Sequence, residues 1–130
     1  MFRLIALCLL FTASQLHAQE AALEGPLYYT ITPDIITNYQ NSGQTLGYIR
    51  VSVGLMLESS EQMPLVEQHI PLIRDAINSL LAEQDQQEIR SLTVRNELAT
   101  QGQQRLNDLL LHETGEAPIR RLLFTKFLYQ

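Results

Sequence analysis

The stretch GYIRVSVGLML, residues 47–57, alternates along its whole length. Ile49, Val51, Val53, Leu55 and Leu57 fall on one face; Tyr48, Arg50, Ser52, Gly54 and Met56 fall on the other. A repeat of two with apolar residues on one side describes a strand with one buried face. Gly54 leaves room for a bulge or for a second backbone to approach closely. A buried face needs a cover, and the flanking sequence supplies one.

Downstream, Ser59 to Gln84 reads as a helix. Val66, Ile70, Ile73, Ile77 and Leu80 step by four and three to make one stripe, which Leu81 widens. Ser59 and Gln62 have the spacing of a capping box. Pro64 falls near the start, where it is tolerated. Pro71 falls inside and removes the amide that would bond the Glu67 carbonyl, so a kink or restart is predicted there. Asp85 to Glu88 reads as a turn or a short cap. Ser91 to Leu111 is a second, weaker helix carrying Val94, Leu98, Leu106, Leu109 and Leu110, with Gln101-Gly102 in its middle. His112 to Pro118 is a predicted loop, and Ile119 to Tyr129 a final strand. That strand is apolar on both faces, with Leu123, Phe127 and Tyr129 opposite Leu122, Phe124 and Leu128. This predicts a central position, or cover on both sides.

Upstream, Leu27 to Thr32 (LYYTIT) has the aromatic and β-branched content of a strand. Pro33-Asp34 interrupts it, and Ile35 to Tyr39 resumes as a second short strand. Gln40 to Thr45 is a turn. The predicted order is β-β-β-α-α-β, an α+β fold in a small single domain.

Residues 1–18, MFRLIALCLLFTASQLHA, have the layout of a secretory signal peptide: Arg3, the apolar run Leu4 to Phe11, then Ala18 before a polar stretch. The run is shorter than the roughly 17–25 apolar residues that span a bilayer. A short membrane anchor is the alternative reading. Residues 19–26 are small, polar and acidic and read as a flexible leader, and the folded domain is assigned to residues 27–130. Cleavage after Ala18 would remove Cys8, the only cysteine.

Composition excludes several functions. The chain has 130 residues and a net charge of −5, with 9 Lys+Arg against 14 Asp+Glu, which disfavours free nucleic acid as a partner. One cysteine allows no internal disulfide and no cysteine-based zinc site. His69 and His112 lie in different elements and lack ligand-spaced partners. There is no Gly-x-Ser-x-Gly elbow, and the glycines form no phosphate-binding loop. Ser59-Ser60, Glu58/Glu61 and Asp85/Glu88 sit at helix borders, where capping and the helix dipole account for them. No catalytic, cofactor-binding or metal-ligating residues are assigned, and no cofactor is expected. Tyr28, Tyr29, Tyr39 and Tyr48 read as sheet-face packing or as an interaction surface.

Four stretches are similar to one known family. Tyr28 to Asn38 (YYTITPDIITN) resembles the opening strand of the flagellar basal-body-associated FliL family, which leads through a proline into an apolar stretch ending in Asn. Tyr48 to Val53 resembles its Tyr-apolar-x-Val strand. Ile70 to Asp75 (IPLIRD) resembles its proline-containing helix. Leu122 to Gln130 (LLFTKFLYQ) resembles its terminal strand. The four occur in family order. The resemblance implies a stomatin (SPFH)-like periplasmic domain at the inner membrane beside the flagellar basal body, without catalytic residues. It also implies association with stator proteins, oligomerisation that includes rings, and support of rotation, swarming or chemotactic motility. FliL proteins usually begin with a full transmembrane helix; here a short signal-like segment stands in its place. Membrane association then runs through partners or through an uncleaved N-terminus. The candidate interaction surface is Tyr48, Arg50, Pro71, Arg74 and Asp75. An adaptor of the same fold unrelated to motility, or a small ligand-binding protein or enzyme, are the competing expectations.

Overall fold

Three strands form one antiparallel sheet: β1 (Leu27–Tyr39), β2 (Gly47–Leu57) and β3 (Ile119–Tyr129), in the order β1-β2-β3. The computed structural model describes residues 27–41 and 46–130. The signal-like segment 1–18, the leader 19–26 and most of the turn after Gln40 lie outside the described residues. Between β2 and β3 come a 3-10 turn (Ser60–Gln62) and four helices, α1 (Met63–Gln68), α2 (Ile70–Ala82), α3 (Gln86–Arg90) and α4 (Val94–Thr114).

β2 is central and behaves as its alternation requires. Ile49, Val51, Val53, Leu55 and Leu57 are at most 1% exposed and face the helices. The expected break in the first strand is corrected by the structure: residues 27–39 are one strand, not two. Ile31 pairs with Val53 and Ile35 with Val51, so Thr32, Pro33 and Asp34 together stand opposite Ser52. The interruption is a bulge inside a strand. β1 is an edge strand, where a proline without an amide is tolerated. The Thr32–Pro33 peptide is cis.

β3 also departs from expectation. It lies at the other edge rather than in the centre, and only one of its faces is covered. Its apolar residues occupy both phases because two bulges reverse the phase. Ser52 pairs with Lys126 but Val53 with Phe124, which skips Thr125; Met56 pairs with Arg121 but Leu57 with Ile119, which skips Arg120. The residues that reach the core are therefore Ile119, Leu122, Phe124 and Phe127, at irregular spacing.

The long helix expected from Ser59 divides at His69, whose backbone leaves helical geometry, and α2 restarts with Pro71 in its first turn. A proline there gives up an amide that a new helix does not use. The Ser59 amide donates to Gln62 Oε1 at 3.2 Å, as the capping-box spacing predicts. The stripe on α2 holds: Ile73, Ile77, Leu80 and Leu81 are buried, and Val66 continues it on α1. Asp85 and Glu88 form a reciprocal cap, with Glu88 N–H donating to Asp85 Oδ1 at 2.8 Å and Asp85 N–H to Glu88 Oε2 at 2.9 Å. This starts α3, an additional short helix, so the helix count exceeds the two expected.

α4 continues through His112 to Thr114, residues expected to be loop. It stops at Gly115, whose φ of 83° is a left-handed cap. Gly102 faces the sheet, where an added Cβ would stand 3.0 Å from Leu122 Cδ1 and 3.4 Å from Leu80 Cδ2. The glycine that weakens the helical pattern is a point where α4 packs tightly against side chains of β3 and α2. The result is an α+β domain in which every described helix lies on one side of the sheet and no described element covers the other.

Candidate functional site

β2 displays Tyr48, Arg50, Ser52, Gly54 and Met56 on the open side of the sheet. Cross-strand pairing places Ile36 and Leu128 beside Arg50, Tyr28 and Arg121 beside Met56, and Lys126 beside Ser52. Directly paired side chains on one face are in reach of each other.

The β1 bulge delivers the only described carboxylate that joins this face through an ion pair. Asp34 Oδ2 accepts from Arg50 Nε at 2.9 Å, and Lys126 Nζ stands 3.6 Å from the same oxygen. The Ser52 hydroxyl donates to Asp34 Oδ1. Each of the three strands thus contributes to one charged cluster in the middle of the open face. The Ser52 hydroxyl, then the Arg50 hydrogen bond, and beyond them the positive charges of Lys126 and Arg50, hold the Asp34 carboxyl below the ordinary value of 3.8; partial burial opposes them.

At one end of this cluster is an apolar hollow of about 350 Å³ lined by Ile36, Tyr48, Leu128, the Arg50 stem and Gln130. Ile36, Tyr48 and Leu128 are 62%, 52% and 56% exposed. Apolar side chains standing together in water are a feature of contact surfaces. The floor beneath is hydrogen-bonded: Gln130 exchanges both backbone hydrogen bonds with Tyr48, and the Tyr39 hydroxyl donates to the Gln130 carbonyl.

The residues singled out from sequence separate into two groups with one meeting point. Tyr48 and Arg50 are on the open face. Arg74 and Asp75 are on α2 and, with Asn78 and Ile36, line a second hollow at the β1 edge. Ile36 belongs to both hollows and links them. Arg74 Nη1 donates to the Pro33 carbonyl at 2.7 Å, tying α2 to the bulge. Pro71 is exposed one turn earlier on α2, outside both hollows.

Ile36, Leu128, Asp34 and Lys126 were not among the sequence candidates. Sequence alone makes Asp34 part of a break and Leu128 part of a strand that is central or covered on both sides. An isoleucine and a leucine that fall on the polar phase of their strands were the available signal, hidden by the bulges that set the phase.

Other chemistry is placed as follows. His69 Nδ1 lies 2.7 Å from the Leu65 carbonyl at the helix break, and His112 is in the last turn of α4 beside Glu113. Among the described residues no three His, Cys, Asp or Glu side chains converge as a metal site. No described helix is long and apolar enough to cross a membrane.

The family model described as "Flagellar basal body-associated protein FliL" matches residues 28–130. "Flagellar protein FliL" of Aquifex aeolicus (strain VF5) is 29% identical over 104 residues, which cover 80% of this chain and 62% of that relative. The chain thus spans less than two thirds of the relative's length.

Proposed function

From the fact that the chain belongs to the FliL family of flagellar basal-body-associated proteins, we propose that it serves the flagellar motor by contact rather than by catalysis. Its partners are the stator and other basal-body proteins, and its role is to support rotation, swarming or chemotactic motility. It works in the periplasm at the inner membrane, held there by partners or by residues 1–18. Self-association into a closed ring is part of this reading, since head-to-tail contacts that close give rings.

The observation that carries the proposal is the open face. Ile36, Tyr48 and Leu128 expose apolar surface around one hollow, on a sheet whose other side is fully packed. Arg50, and across Ile36 the pair Arg74 and Asp75, supply a polar rim. Pro71 opens α2 one turn before that pair. An apolar centre with a polar border is how non-obligate interfaces are built.

Capture of the tagged full-length protein from cross-linked cells tests this. Stator and basal-body proteins are expected in the eluate, and an Ile36→Ser, Leu128→Ser variant is expected to lose them and to shrink swimming halos in soft agar. Unchanged halos on deletion of the whole chain would refute the motor role. Mass spectrometry of the same sample locates the N-terminus: Gln19 means cleavage and retention through partners, Met1 in the membrane fraction means anchoring.

A further inference from the structure

A second surface lies at the free edge of β3, away from the open face. Tyr48 and Gln130 exchange both backbone bonds. The antiparallel alternation then turns the N–H and C=O of Phe127 and Tyr129 away from β2. At the start of the same strand α4 covers the edge. Asn107 Nδ2 donates to the Ile119 carbonyl at 2.7 Å, Ile119 N–H donates to Asn107 Oδ1 at 2.9 Å, and Gln103 Nε2 donates to the Arg120 carbonyl at 2.9 Å. Among the described residues no side chain does this for Phe127 or Tyr129.

Two arginines stand beside the uncovered part. Arg90, at the end of α3, holds its Cζ 5.9 Å from the Tyr129 ring centre. Arg95, in the first turn of α4, holds its Cζ 5.5 Å from the Phe127 ring centre. Both are exposed, and among the described residues neither is in an ion pair. Together with Phe127 and Tyr129 they line a hollow of about 400 Å³ whose lining includes no carboxylate. It continues through Arg95 and Asn96 into a second hollow of about 320 Å³, which reaches Arg121. The carboxylates nearest in sequence are engaged elsewhere, Glu88 on the Asp85 amide and Glu97 on the Thr93 hydroxyl.

The spacing selects the ligand. Phe127 and Tyr129 are two residues apart, about 7 Å along a strand. Each of these two rings, on alternate residues of one strand, has one arginine beside it. We propose that the β3 edge binds an extended acidic segment of another protein as a fourth strand, with carboxylates at alternate positions meeting Arg90 and Arg95. Outward backbone groups supply the pairing and the arginines supply the selection. A groove whose lining carries Arg90, Arg95 and Arg121 and no carboxylate is complementary in charge to an acidic strand. This inference stands apart from the flagellar role.

Fluorescence anisotropy of a labelled decapeptide alternating Glu and Thr, added to the full chain, tests it, with an alternating Lys–Thr decapeptide as control. The Glu–Thr peptide is expected to bind with an affinity that falls as salt rises. Loss of two exposed ion pairs in Arg90→Gln, Arg95→Gln should weaken it about tenfold. Arg105→Gln, on a side chain paired with Glu83, should leave it within about twofold. Amide hydrogen exchange of Phe127 and Tyr129 should slow when the peptide is added, a change that ionic attraction alone does not produce. Equal binding of the Lys–Thr peptide, indifference to the double substitution, or unchanged exchange at both amides would overturn the proposal. So would protection already present in the peptide-free chain. If independent of concentration it would assign the edge to the chain's own leader, and if it grew with concentration, to a second copy.

Discussion

On the helix side of β2, five apolar side chains are at most 1% exposed; across the same backbone Tyr48 is 52% exposed, with Ile36 at 62% and Leu128 at 56% beside Arg50. Both faces are rich in apolar groups. What separates them is packing. The inner face is closed by Ile73, Ile77, Leu98, Leu106 and their neighbours. The outer face is interrupted by Asp34, Arg50 and Lys126, which hydrate its middle and leave apolar ends. One face holds the fold together and the other is free to serve contact. Altering them separately should therefore give separable effects.

The largest effect is expected on the inner face. Leu55→Ala leaves a cavity under the central strand and should cost about 2–5 kcal/mol in urea unfolding. A cost near zero would mean that the two faces are not distinct in energy. Gly47→Ala comes next. A Cβ there would overlap the ring of Tyr39, its cross-strand partner, whose hydroxyl is already committed to Gln130. Displacing that ring should cost about 1–3 kcal/mol. The cost should be much smaller in a Tyr39→Ala background, which a double-mutant cycle measures.

Asp34→Asn probes the divide between the two ends of the outer face. The folded carboxyl titrates below 3.8, so the native state favours the charged form. Its contribution is complete above that value and is lost as pH falls through the lowered folded value. Wild type should melt above the variant at pH 7, and the gap should close in acid. A gap that persisted in strong acid would show that charge is not its origin. The smallest effect on stability is expected from Ile36→Ser with Leu128→Ser, within about 0.5 kcal/mol. The same pair should abolish partner capture. A large loss of stability would make these residues part of the fold instead.

The β2 strand and the α2 stripe were legible because their periods are unbroken. The Ser59 and Asp85 caps were legible because their spacing is fixed by local geometry, and Pro71 marked a restart for the same reason. The edge strands were harder. In β1, Pro33-Asp34 has the local signature of a strand end, and only pairing with β2 reveals a bulge. In β3, two skipped residues convert one buried face into an apparent pair of apolar faces. Bulge placement depends on the partner strand, which is remote in sequence. Of the interaction candidates, Tyr48 and Arg50 followed from β2 alternation. Ile36 and Leu128 did not, because their exposure depends on those bulges. The juxtaposition of Arg90 and Arg95 with Tyr129 and Phe127 is tertiary and had no sequence period to announce it.

The strand order β1-β2-β3 also bears on how the chain reaches this state. β1 and β2 are seven residues apart in sequence, whereas β2 meets β3 only across all four helices. Loop-closure entropy makes the first pairing cheap and the second expensive. Until β3 docks, Phe124 and Phe127 have no core to enter, and β2 keeps one side of its hydrogen-bonding ladder unpaired. On this ground the docking of β3 on β2 is expected to be the slower pairing. An emerging chain must keep that aggregation-prone central edge shielded until the final strand is available.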